Sequence, residues 1–247
     1  MLRAFAGGAV FGEALGDPPW RVLALHGWRR THDDFRPALA GMPVVAVDLP
    51  GFGASPPPPE PWSTGDYADA VAPLLDELTP PLTVVGHSFG GRVAVHLAAR
   101  RPDAVDALVL TGVPLVRPTA GRRARPPVPF RVGRALHRAR LLSDERMEAL
   151  RRRHGSDDYR LATGVMRDVL VQAVNETYEE QLRAVRCPIA LVWGADDTAA
   201  PPAVAAAAAD LAVDAEVTVL SGVGHLVPTE APDALRRAVE RAMAAPA

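Results

Sequence analysis

The stretch LTVVGHSFGGRVAVHLAAR, residues 82–100, decides the fold. It opens with an apolar, β-branched run at 82–85, passes through Gly86-His87-Ser88-Phe89-Gly90, and continues as an amphipathic helix over 88–100. A strand that turns directly into a helix around G-x-S-x-G requires a serine in a strained backbone conformation, with its hydroxyl raised above the sheet. Gly86 and Gly90 remove the side chains that would collide in so tight a turn. The helix then points free N–H groups and its positive dipole end at any negative charge developing beside Ser88. G-x-S-x-G alone also arises by chance as an ordinary glycine turn; the strand before it and the helix after it argue for the elbow.

Working outward, short apolar runs recur at 22–25, 44–47, 107–110, 189–193 and 217–220. Several are near-continuous rather than alternating, the pattern of strands covered on both faces, and parallel pairing follows. Helical spacing fills the intervals, most clearly at 66–78, 202–211 and 232–243, with prolines near several starts. The expected class is α/β, a mostly parallel sheet flanked by helices. The glycine-rich residues before Leu15 suggest a short edge hairpin, and Pro56 to Pro59 form a stiff loop of polyproline character.

The alternation breaks once. Residues 114–186 carry no strand pattern; 114–129 are dense in proline, glycine and arginine, and 141–153 and 159–185 have helical spacing, including Leu161, Val165, Val169 and Gln172. The expected organisation is therefore a core formed by 1–113 and 187–247, with a helical cap inserted at 114–186.

Composition narrows the function classes. The 247 residues are 48% hydrophobic and 23% charged, enough for a large core. No apolar run reaches the roughly 18 residues of a membrane helix, and no basic-then-apolar leader pattern opens the chain, so a cytoplasmic protein without a membrane partner is expected. The single cysteine, Cys187, excludes an internal disulfide and a cysteine-built zinc site, and nothing calls for a metal or organic cofactor. A net charge of −2 argues against a nucleic-acid partner. All 27 basic residues are arginine, in keeping with a GC-rich genome, and 114–186 hold 16 arginines against 9 acids while the remainder holds 11 against 20.

A serine hydroxyl needs a base to attack anything at neutral pH. Of seven histidines, His225 follows the last strand by a glycine-rich loop and precedes the final helix, at the carboxyl ends of the strands where sites form in open parallel sheets. His32, His96, His137 and His154 stand in a loop, a helix and the insert, where packing or surface roles suffice. A carboxylate should orient the imidazole, and Asp196 and Asp197 both qualify in the loop after the strand at 189–193. The chain order serine, aspartate, histidine is that of α/β-hydrolases.

LHGW at 25–28, DLPGFGAS at 48–55, GHSFGG at 86–91, and the pair WGADDTAAP and GHLVPTEAP together resemble the α/β-hydrolase superfamily over nearly the whole length. The family's acid stands three residues after a glycine and four before a proline, so Gly194 and Pro201 select Asp197. The resemblance implies a triad of Ser88, Asp197 and His225, with the backbone N–H groups of Trp28 and Phe89 as the oxyanion hole. Arg29 replaces the final glycine of the commoner H-G-x-G, a departure that bears on that loop. His26 and Asp48 are expected to support loops rather than react.

The implied activity is hydrolysis of a carboxylic ester, thioester or lactone on a small-molecule acyl substrate through an acyl-enzyme on Ser88. Carbon–carbon bond hydrolysis of vinylogous diketones uses the same triad and stays open, as does an esterase or thioesterase acting on a carrier-bound acyl group. HGW with a short helical insert resembles small carboxylesterases, some of which grip an acidic carrier protein. Arg122, Arg123, Arg125, Arg134 and Arg138 are the candidates for that contact, a solvated arginine face being the simpler alternative. Val113, Met166, Leu170 and Leu226 are the candidate pocket residues.

Overall fold

A computed structural model describes residues 1–116, 128–154 and 156–244 of the chain. Its eight strands are β1 (Leu2–Phe5), β2 (Val10–Ala14), β3 (Val22–Leu25), β4 (Val44–Asp48), β5 (Thr83–His87), β6 (Ala107–Thr111), β7 (Ile189–Gly194) and β8 (Ala215–Leu220). They form one sheet in the order β1-β2-β4-β3-β5-β6-β7-β8. β1 and β2 make the antiparallel edge hairpin, β2 pairs antiparallel with β4, and every later pair is parallel. The carboxyl ends of β3, β5, β7 and β8 therefore open on the same rim.

The apolar runs are continuous because each face of the strands has its own helical layer. Leu23, Leu25, Val45, Val47, Val84, Leu108 and Leu110 face one buried cluster; their neighbours Val22, Ala24, Val44, Ala46, Val85 and Val109 face the other. On the first face pack α2 (Thr64–Val71), α3 (Phe89–Arg100) and α9 (Pro202–Ala209); on the second, α1 (Arg36–Leu39), α10 (Val227–Glu230) and α11 (Pro232–Ala244). The helix expected over 66–78 stops at Val71 and tightens into a 3₁₀ turn, Ala72–Glu77, with Pro73 in its first turn, where proline removes a helical hydrogen bond. Ser63 caps α2 reciprocally with Asp66.

Between β6 and β7 lie α4 (Val128–Arg138), α5 (Asp144–His154), α6 (Asp157–Leu161), α7 (Gly164–Ala173) and α8 (Glu179–Ala184). The spacing read across 159–185 is thus divided. Ala162 leaves the helical region and Gly164 takes φ +53°, so Leu161 belongs to a different helix from Val169 and is 59% exposed while Val169 is buried. α4 begins inside a stretch read as loop. Val169, Ala173, Tyr178, Leu182 and Val185 join the main core. The Glu176 carboxylate accepts from the Thr64 hydroxyl and from Tyr178 Oη, tying this segment to the start of α2. Among the described residues no helix is long and apolar enough to cross a membrane.

Candidate active site

β5 ends at His87 and α3 starts at Phe89, leaving Ser88 alone to make the turn, as the cap residue of α3 rather than its first helical one. Ser88 takes φ +49° and ψ −108°, a region L-residues avoid and which costs about 1–3 kcal/mol. Neighbouring backbone fixes it: Ser88 N donates to Thr111 O at 2.9 Å and Gly90 N to His26 O at 2.9 Å. A Cβ on Gly86 would stand 2.4 Å from Gly91 Cα, and one on Gly90 2.2 Å from Leu25 O, so both positions exclude any side chain.

His225 follows β8 and Asp197 follows β7. His225 Nδ1 lies 2.8 Å from Asp197 Oδ2, and His225 Nε2 lies 3.1 Å from Ser88 Oγ. Asp197 is 3% exposed, and its other oxygen accepts from Ala199 N at 2.9 Å and Ala200 N at 2.8 Å. Burial disfavours its charge, but the hydrogen bonds from His225 and the two loop amides outweigh burial and hold the carboxyl below its usual range. An ionised carboxylate can only accept, so Nδ1 must be the donor and Nε2 the acceptor facing the serine hydroxyl. Asp196, the neighbouring candidate, is exposed, and its N–H donates to Val223 O at 2.9 Å.

Phe89 N is the first amide of α3, and Trp28 N stands in the loop after β3. Among the described residues neither donates to another protein group. Arg29 adopts φ +56°, which explains the usual glycine at this place in the loop: the chain needs the left-handed region, and here an arginine accepts the strain. His26 anchors the same loop, its Nε2 accepting from Leu49 N at 2.9 Å and its Nδ1 meeting Gly27 O at 2.7 Å. Asp48 accepts from His32 N at 2.8 Å and Ala54 N at 2.9 Å, supporting the neighbouring turn.

Above Ser88 is a cavity of about 250 Å³. Leu170 and Leu226 line it, with Trp28, Phe89 and His225, but Val113 and Met166 do not. Val113 is fully buried behind the elbow, against Gly91. Met166 lies over Gly51, with its sulfur 3.8 Å from Tyr67 Oη. Apolar character alone does not separate pocket from core, and packing claims both side chains. Arg30, Arg92 and Asp158 line the cavity without having been expected there; for Arg92 the available signal was its place one helical turn after Ser88. Glu230 was also missed: its carboxylate accepts from Gly224 N at 2.6 Å and pins the loop that carries His225.

Glu13, His32 and Asp33 bring ligand-type atoms together near the amino-terminal edge. Their atoms are engaged within the protein, His32 Nδ1 with Asp48 at 2.8 Å and Arg36 with both Glu13 and Asp33, so the cluster is an ion-pair network.

Two buried rings set a pH limit on the fold. Burial lowers His26 from 6.5 to about 4. Burial, followed by the neighbouring His225, lowers His87 from 6.5 to about 3. The unfolded chain would bind protons that these folded rings refuse, so stability present above the ordinary histidine value is lost as pH falls below it, by about 3 kcal/mol per ring at the low end. Melting curves recorded from pH 7 down to pH 4 are expected to show Tm falling steadily; a constant Tm would contradict this.

The alpha/beta hydrolase family model matches residues 22–238. Lipase LipV of Mycobacterium tuberculosis is 47% identical over 100 residues, covering 37% of this chain and 36% of the lipase, so the match spans about a third of that relative's length. Pimeloyl-(acyl-carrier protein) methyl ester esterase of Chromobacterium violaceum is 35% identical over 213 residues, covering 78% of this chain and 81% of that protein. A thermophilic esterase from Thermogutta terrifontis superimposes with a TM-score of 0.69 at 22% identity, covering 98% of this chain and 97% of that one, a likeness of fold. By the extent of the family match and by the relative 35% identical over 213 residues, the chain belongs to the alpha/beta hydrolase family.

Proposed function

We propose that the protein hydrolyses carboxylic esters through an acyl-enzyme on Ser88. The observation that carries this reading is the single imidazole of His225 spanning Asp197 at 2.8 Å and Ser88 Oγ at 3.1 Å. Ser88 Oγ adds to the ester carbonyl as its proton passes to His225 Nε2; the negative oxygen is held by the N–H groups of Trp28 and Phe89, whose benefit is greatest in the transition state. His225 then returns the proton to the departing alkoxide, leaving Ser88 acylated. Water adds to the acyl group while Nε2 takes its proton, and the acid leaves as Ser88 regains its hydrogen. The described helices between β6 and β7 act as the cap over this chemistry, α7 supplying Leu170 and Ala173 to the cavity wall.

Relatives named as lipase and as methyl ester esterase support the reaction class. Hydrolysis of p-nitrophenyl acyl esters tests it: turnover with a burst of nitrophenol is expected. Release of acid from a vinylogous diketone, with no turnover of any acyl ester, would move the assignment to carbon–carbon bond hydrolysis.

A carrier-bound substrate is a second reading, favoured by the methyl ester esterase relative and by Arg131, Arg134 and Arg138, which line one surface groove on α4. Arg122, Arg123 and Arg125 lie outside the described residues. Steering of an acidic carrier by these arginines would make the rate on carrier-bound esters fall with added salt, and a salt-independent rate would remove it.

A further inference from the structure

The cavity over Ser88 holds two arginines whose charges are handled differently. Arg30 donates to both oxygens of Asp34, 2.6 Å each, in a closed bidentate pair. Arg92 has no carboxylate partner among the described residues. Its Nη1 donates to Ala173 O at 2.5 Å, its guanidinium carbon stands 5.8 Å from the centre of the Tyr178 ring, and its Nε is buried without a hydrogen-bond partner. Asp158, the one carboxylate lining the cavity among the described residues, is 3.4 Å from Arg29.

A half-buried guanidinium with donors left over is an incomplete arrangement: the charge has lost part of its water and gained no anion. Its planar fork matches a carboxylate. The position also suits a substrate. Arg92 N approaches Ser88 O at 3.4 Å, one turn along α3; residues so spaced share a helix face, and long side chains there lean back toward the amino end. The guanidinium reaches Ala173 at the end of α7, and Arg92 lines the same cavity as Ser88, Leu170 and Val174.

We propose that Arg92 is the subsite for a carboxylate carried by the ester that Ser88 attacks, so that anionic esters are preferred to neutral ones of the same length. The proposal rests on the acyl-enzyme reading above and adds the substrate class. The carboxylate can sit on the acyl side, as in half-esters of short dicarboxylic acids, or on the alcohol side, as in esters of hydroxy acids. Arg92 also clasps the last residue of α7, and a clasp alone would serve every ester equally.

The test compares kcat/KM for monoethyl succinate, glutarate and adipate, and for butyryl glycolate, with that for neutral ethyl esters and alkyl butyrates of matched length. Wild type is expected to prefer the anionic ester in one arm by about tenfold or more, the value of one charge-assisted contact, and the arm identifies the side. In Arg92→Gln the preference should vanish through a raised KM for the anionic ester, and Arg92→Lys should keep part of it. Absence of any preference in wild type, or an equal loss on neutral and anionic esters in both variants, would overturn the subsite. The wild-type comparison and Arg92→Lys decide the matter even if Arg92→Gln does not fold. Failure to turn over any ester, neutral or anionic, would instead sink the acyl-enzyme reading and the subsite with it.

Discussion

Replacing Ser88 by alanine is expected to lower kcat/KM on acyl esters by about 10⁵-fold or more, with no loss of fold. The size follows from the arrangement: Ser88 Oγ is the group 3.1 Å from His225 Nε2, so removing it leaves the imidazole no nucleophile to activate. What remains is binding in the cavity and donors around the carbonyl oxygen, which still speed attack by water. The fold should tolerate the change because the backbone at 88 is held by Thr111 O rather than by the hydroxyl. Alanine at φ +49° meets the same strain as serine, so Tm should move little. Steady-state kinetics with a melting curve separate the two quantities, and a variant retaining most of its activity would refute the nucleophile.

Asp197→Asn should cost about 10⁴-fold in kcat, more than the loss of one hydrogen bond explains. Asp197 uses one oxygen for the amides of Ala199 and Ala200 and the other for His225. Asparagine would keep its carbonyl oxygen on the two amides, and its NH₂ would then face His225 Nδ1. Facing a donor, Nδ1 must become the acceptor, which moves the ring hydrogen to Nε2, where it points at Ser88 and cannot take the serine proton. The defect lies in the tautomer. Asp196→Asn, changing an exposed side chain, should alter kcat by less than about threefold. Equal losses in the two variants would contradict the division of roles between the neighbouring aspartates.

The positions of these residues were legible because a strand-to-helix elbow and the rim of a parallel sheet leave recognisable local sequence. The elbow shows in Gly86 and Gly90 because Gly91 Cα and Leu25 O leave no space for a Cβ. His225 shows because the rim of a parallel sheet is reached from the loop after its last strand. The aspartates were separable only by the family's spacing, since two adjacent carboxylates have the same local pattern; their burial, exposed for Asp196 and 3% exposed for Asp197, is a tertiary fact. The sheet strands were legible to within a few residues, because a strand covered on both faces has an uninterrupted apolar run.

The features absent from local sequence depend on the third dimension. Hydrophobic character cannot say which cavity a side chain faces: Met166 and Val113 have the sequence of pocket residues, yet Gly51 and Gly91 receive them. Arginine abundance hid Arg92, whose significance comes from the carboxylate it lacks. The divided insert was hidden because Leu161 and Val169 keep helical spacing across Thr163 and Gly164, where the backbone changes direction.

The most direct measurement is mass spectrometry of the intact protein, and of its peptides, after reaction with a fluorophosphonate. The proximity of Ser88, His225 and Asp197 predicts one adduct per chain, on the peptide bearing Ser88, and none when His225 is alanine. An unmodified protein, or an adduct on another residue with Ser88 left free, would contradict the assignment of that serine as the nucleophile.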